Sequence, residues 1–386
     1  MPELSISNSL IAVLIMVLVT MSASSQVLQA ESEIMGIMKE LTAAGMSVAV
    51  VKNNEIIYTH SFGVSDLETQ KPLTDNNIFR IASISKSFSA TSIMQLIEAK
   101  KCSLDDDFSR LVGFTVRNPN FPNVIITLRM VMSHTSSIND SEGYFTLDTI
   151  NPDKNPNFAK CYNNYSPGAG YEYCNLNYNM VGAVIERLSG ERFDQYVKHH
   201  ILDPLGLYGG YCVDSLDHSR FAKLYEYDSV SKQLVYAPLA YNPRSAEVKN
   251  YVLGYSTPVF SPTGGMKISA TDLARYMMMH MNDGKLNGVR IISKKSSRIM
   301  QTKVSDGEGG YGLALRHSHD LIERKDLVGH TGSSYGLTSG MFFERKEKFG
   351  IVVICNGSNQ AYYPGSDDIN MLNRKTINVL YKYFIK

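Results

Sequence analysis

Strand-forming runs occur at both ends of this sequence and helix-spaced runs fill its middle, a distribution that limits the fold more than any other feature. Met46 to Val51 and Glu55 to Phe62 are β-rich and separated by Lys52-Asn53-Asn54, a hairpin signal. Much later, Tyr311 to Arg316, Ser339 to Glu344 and Phe349 to Cys355 read as further strands. Between them, Asn177 to Leu188 carries apolar residues at helical spacing and stops at Gly190, and Phe193 to Leu202 is a helix ended by Pro204. Ser269-Ala-Thr-Asp272 resembles a capping box that leads a helix with Leu273, Tyr276 and Met277 inward. Helical runs open the chain at Glu31 to Ala44 and close it at Ile369 to Ile385. This pattern implies an α/β (α+β) sheet domain, built from about 31–100 and 290–386, interrupted by a mostly helical one of about 101–289.

A chain of 386 residues can bury a large core in two joined subdomains. With 44% hydrophobic and 19% charged residues it is an ordinary globular composition, which excludes disorder. The net charge of +1 and the absence of a Lys/Arg-rich run exclude nucleic acid as a partner. Leu10 to Val19 is an unbroken apolar run of ten residues, too short for a bilayer and suited to the core of a signal peptide. Residues 1–30 therefore read as a leader to a secreted or periplasmic protein, with cleavage after Ala23 or Ala30; no stable membrane span is expected once it is removed. The flank lacks Lys or Arg and carries Glu3, so an uncleaved anchor is the rival reading. Of five cysteines, Cys161 can pair with Cys174 or Cys212 in an oxidising compartment, and Cys355 reads as a buried thiol.

The chemistry centres on Arg80-Ile-Ala-Ser83-Ile-Ser-Lys86. If a helix starts here, residues three apart share a face, so the Ser83 hydroxyl and the Lys86 amine meet. Backbone N–H groups at the helix start suit a developing oxyanion. A deprotonated amine beside it can activate the hydroxyl. The first half of this helix is rich in serine (Ser83, Ser85, Ser87, Ser89, Ser92), so burial rather than propensity must hold it. Tyr173-Cys-Asn175 lies on a loop before a helix; Tyr173 can relay a proton and Asn175 can hold a substrate carbonyl or Lys86. In Gly329-His330-Thr331-Gly332-Ser333 the glycines permit close approach of a strand, and the Ser333 N–H can join that of Ser83 as an oxyanion hole.

Ser83-x-x-Lys86, Tyr173-x-Asn175 and His330-Thr331-Gly332, in this order and at wide separations, resemble the three motifs of serine β-lactamases and penicillin-binding DD-peptidases. Thr127 to Ser136, Ser166-Pro-Gly168 and Pro262-Thr-Gly-Gly-Met266 extend the resemblance over nearly the whole mature chain. It implies a β-lactamase/transpeptidase-like fold, an antiparallel sheet flanked by helices with an inserted, mostly helical domain. It implies Ser83 as the acylated nucleophile, Lys86 and Tyr173 as the acid–base pair, and Asn175, His330, Thr331, Gly332 and Ser333 as substrate-side or oxyanion residues. No cofactor and no metal are implied.

His330 departs from the lysine that most β-lactamases of this type have in the third motif. An unperturbed histidine, with a pKa of about 6.5, is mostly neutral at pH 7, and relatives with histidine there include DD-carboxypeptidases, D-amino-acid peptidases and some esterases. Cys174 replaces a common serine and is expected to face away. Gly332-Ser-Ser334-Tyr-Gly336 fits a nucleophile elbow in letters alone, since that fold needs a helix after the serine and a later histidine. His317-Ser-His319 and His199-His200 read as structural or exposed. The expectation is a secreted serine hydrolase acting on D-amino-acid peptides or amides or on carboxyl esters. A β-lactamase is the alternative enzyme, and a non-hydrolysing penicillin-recognising sensor is the alternative of another class. Specificity is expected from the 139–165 and 209–255 loops.

Overall fold

In the computed structural model, which describes residues 25–362 and 369–386, a helix α1 (residues 25–40) precedes the N-terminal hairpin. Strand β1 (Gly45–Lys52) pairs antiparallel with β2 (Glu55–Asp66). Asn53 and Asn54 between them take positive φ, 52° and 67°, the twist that a two-residue hairpin needs and that asparagine tolerates. A short β3 (Lys71–Pro72) follows on the outer edge. The leader's apolar run and Ala23 lie outside the described residues, whereas Ala30 lies within α1 and is fully buried.

The other strands come from the end of the chain: β4 (Arg316–Ser318), β5 (Leu327–Ser334), β6 (Leu337–Glu344) and β7 (Phe349–Cys355). They complete a seven-stranded antiparallel sheet in the order β4-β5-β6-β7-β1-β2-β3. The strand expected over Tyr311 to Arg316 begins only at Arg316. Gly310 and Ala314 take φ of 127° and 62°, which turns the backbone out of an extended path.

Both faces of the sheet are covered, as the period-two pattern of β1 requires. Met46, Val48 and Val50 face one side with Ile34, Ile37 and Met38 of α1 and with Leu372 and Ile377 of the closing helix (Met371–Leu380). Ala49 and Val51 face the other, with the larger core that joins the sheet to the middle of the chain. In that core lie α2 (Ser85–Glu98), α3 (Asn175–Ser189) and α4 (Ala270–Met281). Gly190 ends α3 in the left-handed region at φ 79°, and Ser269 Oγ caps α4 by accepting the Asp272 N–H at 3.1 Å. Among the described residues no helix is long and apolar enough to cross a membrane, and all five cysteines are free thiols.

The 209–255 stretch supplies one piece that positions the site. Gly209–Gly210 pairs with Lys267–Ile268, which pairs in turn with Phe79–Arg80. This ribbon delivers the chain to Ser83.

Candidate active site

Ser83 sits in a 3₁₀ turn, Ala82–Ile84, immediately before α2. Ala82 is left-handed, at φ 47°, a conformation that costs an alanine about 1 kcal/mol. The serine-rich start of α2 is held as its composition demands, by buried tertiary bonds. Ser85 Oγ accepts the Met266 N–H at 3.0 Å, and Ser89 Oγ donates to the Pro262 carbonyl at 3.0 Å. The 262–266 segment therefore lies along the helix, and Gly182 of α3 leaves room for it: a Cβ there would stand 2.3 Å from Pro262.

Lys86 is fully buried. Its Nζ lies 3.1 Å from Ser83 Oγ, 2.9 Å from Asn175 Oδ1 and 3.1 Å from the Thr263 carbonyl. It also stands 4.6 Å from the centre of the Tyr173 ring, within reach of its π face. Three of the residues read from the sequence, 89 positions apart in the case of Lys86 and Asn175, thus share one hydrogen-bonded cluster. Asn175 Oδ1 accepts from Lys86 in this arrangement. Thr263 escaped the sequence reading as a contributor. Its segment was visible only as Pro262-Thr-Gly-Gly-Met266, and its role depends on a backbone carbonyl that no sequence pattern marks.

Strand β5 brings the third group. Gly332 packs against the turn that carries Ser83, since a Cβ at Gly332 would stand 2.3 Å from the Ile81 carbonyl oxygen. Ser339 Oγ of the neighbouring β6 donates to the same carbonyl at 3.0 Å. Ser83, Tyr173 and Ser333 line two cavities that meet at the serine. One, of about 390 Å³, is completed by His330, Thr331, Gly332, Arg316 and Tyr362. The other, of about 440 Å³, is bordered by Arg80, Tyr144, Phe145, Asn175 and Tyr335. Tyr144 and Phe145 come from the loop expected to line a cleft.

His330 is buried, and its charged form is disfavoured down to about pH 3 by burial first, then by the Lys86 charge and by Arg316. Its Nδ1 faces the Thr331 carbonyl and must carry the proton, which leaves Nε2 to accept from the Tyr311 hydroxyl at 3.1 Å. The ring is therefore neutral across the physiological range. Arg316, a buried guanidinium, lines the same cavity as His330. It went unrecognised in sequence because it stands 14 positions before His330, at the end of a predicted strand. His134 is buried against Tyr173, with ring centres 4.5 Å apart, and accepts the Cys174 N–H at 3.1 Å. Burial, then Lys86 and His330, push its pKa well down. Cys174 is buried and lines neither cavity. Ser334 precedes a turn and strand β6 rather than a helix. His317 and His319 share Asp326 at 3.1 and 3.3 Å and border neither cavity at Ser83.

The sequence model of the family described as Beta-lactamase matches residues 31–373. Penicillin-binding protein 4* of Bacillus subtilis is 26% identical over 336 residues, covering 82% of this chain and 69% of its own length. Protein flp of Staphylococcus aureus is 23% identical over 350 residues, covering 86% of this chain; the chain spans only 63% of that relative. Among solved structures, the octameric penicillin-binding protein homologue of Pyrococcus abyssi superposes with a TM-score of 0.72 at 27% identity, over 92% of this chain and 78% of its own. The D-amino acid amidase of Ochrobactrum anthropi SV3 shares the fold, with a TM-score of 0.68 at 20% identity over 92% of this chain and 98% of its own. A Ser-x-x-Lys pair at a helix start, held beside an antiparallel sheet, is thus found in a chain that belongs to the β-lactamase family of serine hydrolases, alongside the penicillin-binding proteins.

Proposed function

We propose that this protein is a secreted serine hydrolase that carries its substrate as an ester on Ser83, and that its substrates are D-amino-acid peptides or amides, with carboxyl esters as neighbours. The observation that carries the reading is the buried Lys86 amine 3.1 Å from Ser83 Oγ. In its neutral form that amine takes the Ser83 proton as Oγ attacks the carbonyl carbon. The N–H groups of Ser83 and Ser333 receive the oxyanion. The Tyr173 hydroxyl hands a proton to the departing amine or alkoxide as the bond to it breaks and regains one from the protonated Lys86; the neutral Lys86 then takes a proton from the water that attacks the acyl ester and gives it to Ser83 Oγ as the acid leaves. Hydrolysis releases the acid and restores Ser83.

A neutral His330 cannot hold a carboxylate by charge; the Arg316 guanidinium in the wall of the same cavity contributes positive charge there. This favours leaving groups that end in a carboxylate, as peptides do. The D-amino acid amidase named above supplies the stereochemical expectation, by likeness of fold. Secretion is proposed from the leader, and a cut after Ala23 would leave α1 with its buried Ala30 intact.

Intact-mass analysis after exposure to a β-lactam, D-amino-acid peptides and amides, and short esters tests the proposal. An acyl adduct on Ser83 that turns over on D-amino-acid substrates is expected. Fast cephalosporin turnover with poor cleavage of D-Ala-D-Ala peptides would replace it with a β-lactamase. A stoichiometric adduct that is never released would replace it with a sensor.

A further inference from the structure

Asp140 lies in the polar loop after the 127–136 segment, and donors from the start of α3 converge on its carboxylate. Oδ2 accepts the Asn175 N–H at 2.8 Å and Asn175 Nδ2 at 2.9 Å. Oδ1 accepts the Leu176 N–H at 2.9 Å and the Cys174 thiol at 3.2 Å. The first N–H groups of a helix have no partner within it, and Cys174 at the cap position supplies none from its side chain. Asp140 does the work of a cap residue from 35 positions away.

The same carboxylate orients the Asn175 amide. A carboxylate only accepts, so it must face Nδ2, and Oδ1 is turned the other way. There Lys86 Nζ and Thr263 Oγ1 both donate to it at 2.9 Å. Reversal would set the NH₂ group against the lysine and the carbonyl oxygen against the carboxylate, so both contacts would become repulsive. Asp140 itself borders neither cavity at Ser83. It reaches the reacting atoms only through Asn175.

We infer that Asp140 is a positioning residue for the Ser83–Lys86 pair, and that an Asp140–Asn175–Lys86–Ser83 chain of hydrogen bonds fixes where the amine stands. The inference rests on the hydrolase reading and deepens it. Without the carboxylate the Asn175 amide is free to turn, and Lys86 loses a fixed acceptor on the side away from Ser83. Asp140 lies outside both cavities and does not touch a bound substrate, so the loss falls on the chemical step.

The test uses Asp140→Asn and Asp140→Ser in the full chain, with kcat, KM and the pH profile measured on the best substrate of the panel. Asparagine keeps one acceptor for the N–H groups of α3 while removing the charge, and serine, one atom shorter, removes both. Both variants are expected to lose kcat by about 10²-fold, the cost of a misplacement near 1 Å, while KM stays within about threefold. The acid limb of the kcat profile moves to lower pH, because an anion two hydrogen bonds from the amine is gone. In an Asn175→Ala background the Asp140 substitutions should have little further effect on kcat, since the intermediary is already absent. In the wild-type protein the Asn175 side-chain amide protons should be protected from exchange in ¹⁵N spectra, a reading that holds even where a variant fails to fold. Unchanged kcat and pH profile, the same loss in the Asn175→Ala background, or a freely exchanging amide would each overturn the inference. Wild-type turnover through Ser83 alongside any of these sinks this inference alone; no adduct on Ser83 sinks the hydrolase reading and this one together.

Discussion

Replacing Gly332 by alanine should separate Ser83, the proposed nucleophile, from the strand that faces it. The added Cβ would stand 2.3 Å from the Ile81 carbonyl oxygen and 2.4 Å from Ser339 Oγ. An ordinary contact begins near 3.4 Å, so β5 or the 81–82 backbone must retreat by about 1 Å. The serine hydroxyl can rotate, but it is bonded to the same Ile81 carbonyl, and that carbonyl is main chain with nowhere to swing. Two residues later comes Ser83, so the displacement falls between Ser83 and Ser333. A shift of that size in a preorganised site costs about 10²-fold in rate, and overpacking removes about 1–3 kcal/mol of stability. The control is Gly340→Ala in the adjacent strand, where the nearest atoms, on Asn373 and Ile377, would be 3.5 to 3.6 Å away. Acylation rates from stopped-time intact mass, paired with thermal melts, should show Gly332→Ala strongly impaired in acylation and Gly340→Ala close to wild type. Wild-type acylation by Gly332→Ala would refute the claim that close approach of β5 builds the oxyanion site.

Three further outcomes are expected. Ser83→Ala should abolish covalent labelling by a fluorescent penicillin while Ser334→Ala keeps most activity; the reverse would move the nucleophile. Glu186, buried on α3, accepts from Tyr251 Oη, Thr257 Oγ1 and the N–H groups of Phe193 and Gly254, so Glu186→Ala should cost about 3 kcal/mol in urea unfolding by stranding buried donors, and a loss under about 1 kcal/mol would contradict that. His280 and His330 are each held neutral down to about pH 3, by burial above all, and His134 is pushed the same way. Once unfolded they take up protons below about pH 6.5, so stability should be fully present above that pH and be lost as pH falls from about 6.5 towards 3; urea midpoints that stay flat between pH 7.5 and 4.5 would refute it.

The parts of this fold that sequence declared are those whose cause is local. The β1–β2 hairpin followed from two adjacent asparagines that accept positive φ, and α4 from Ser269 and Asp272, which bond as a cap should. Ser83, Lys86, Asn175, Tyr173 and the β5 residues were legible because each motif carries its own chemistry, and the structure gathers them around two adjoining cavities. The 209–255 stretch defeated the reading because its strands are short, Tyr225–Asp228 and Gln233–Tyr236, and are anchored from far away. Tyr225 N donates to the Asn356 carbonyl and the Tyr225 hydroxyl receives the Leu67 N–H. Asp140 was hidden for the same reason, since an aspartate in a polar loop shows nothing of a helix that begins 35 residues on. The helix boundaries moved by a few residues, and Ser83 fell in a 3₁₀ turn ahead of α2 rather than within it.

Because β1 lies between β2 and β7, the hydroxyl and the cradle that faces it are made at opposite times during synthesis. A nascent chain that has emerged through α2 holds the serine and the lysine but neither Asn175 nor the strand from Leu327 to Ser334. The cluster around Lys86 therefore closes only when Asn175 and the strand from Leu327 to Ser334 have packed against the start of α2.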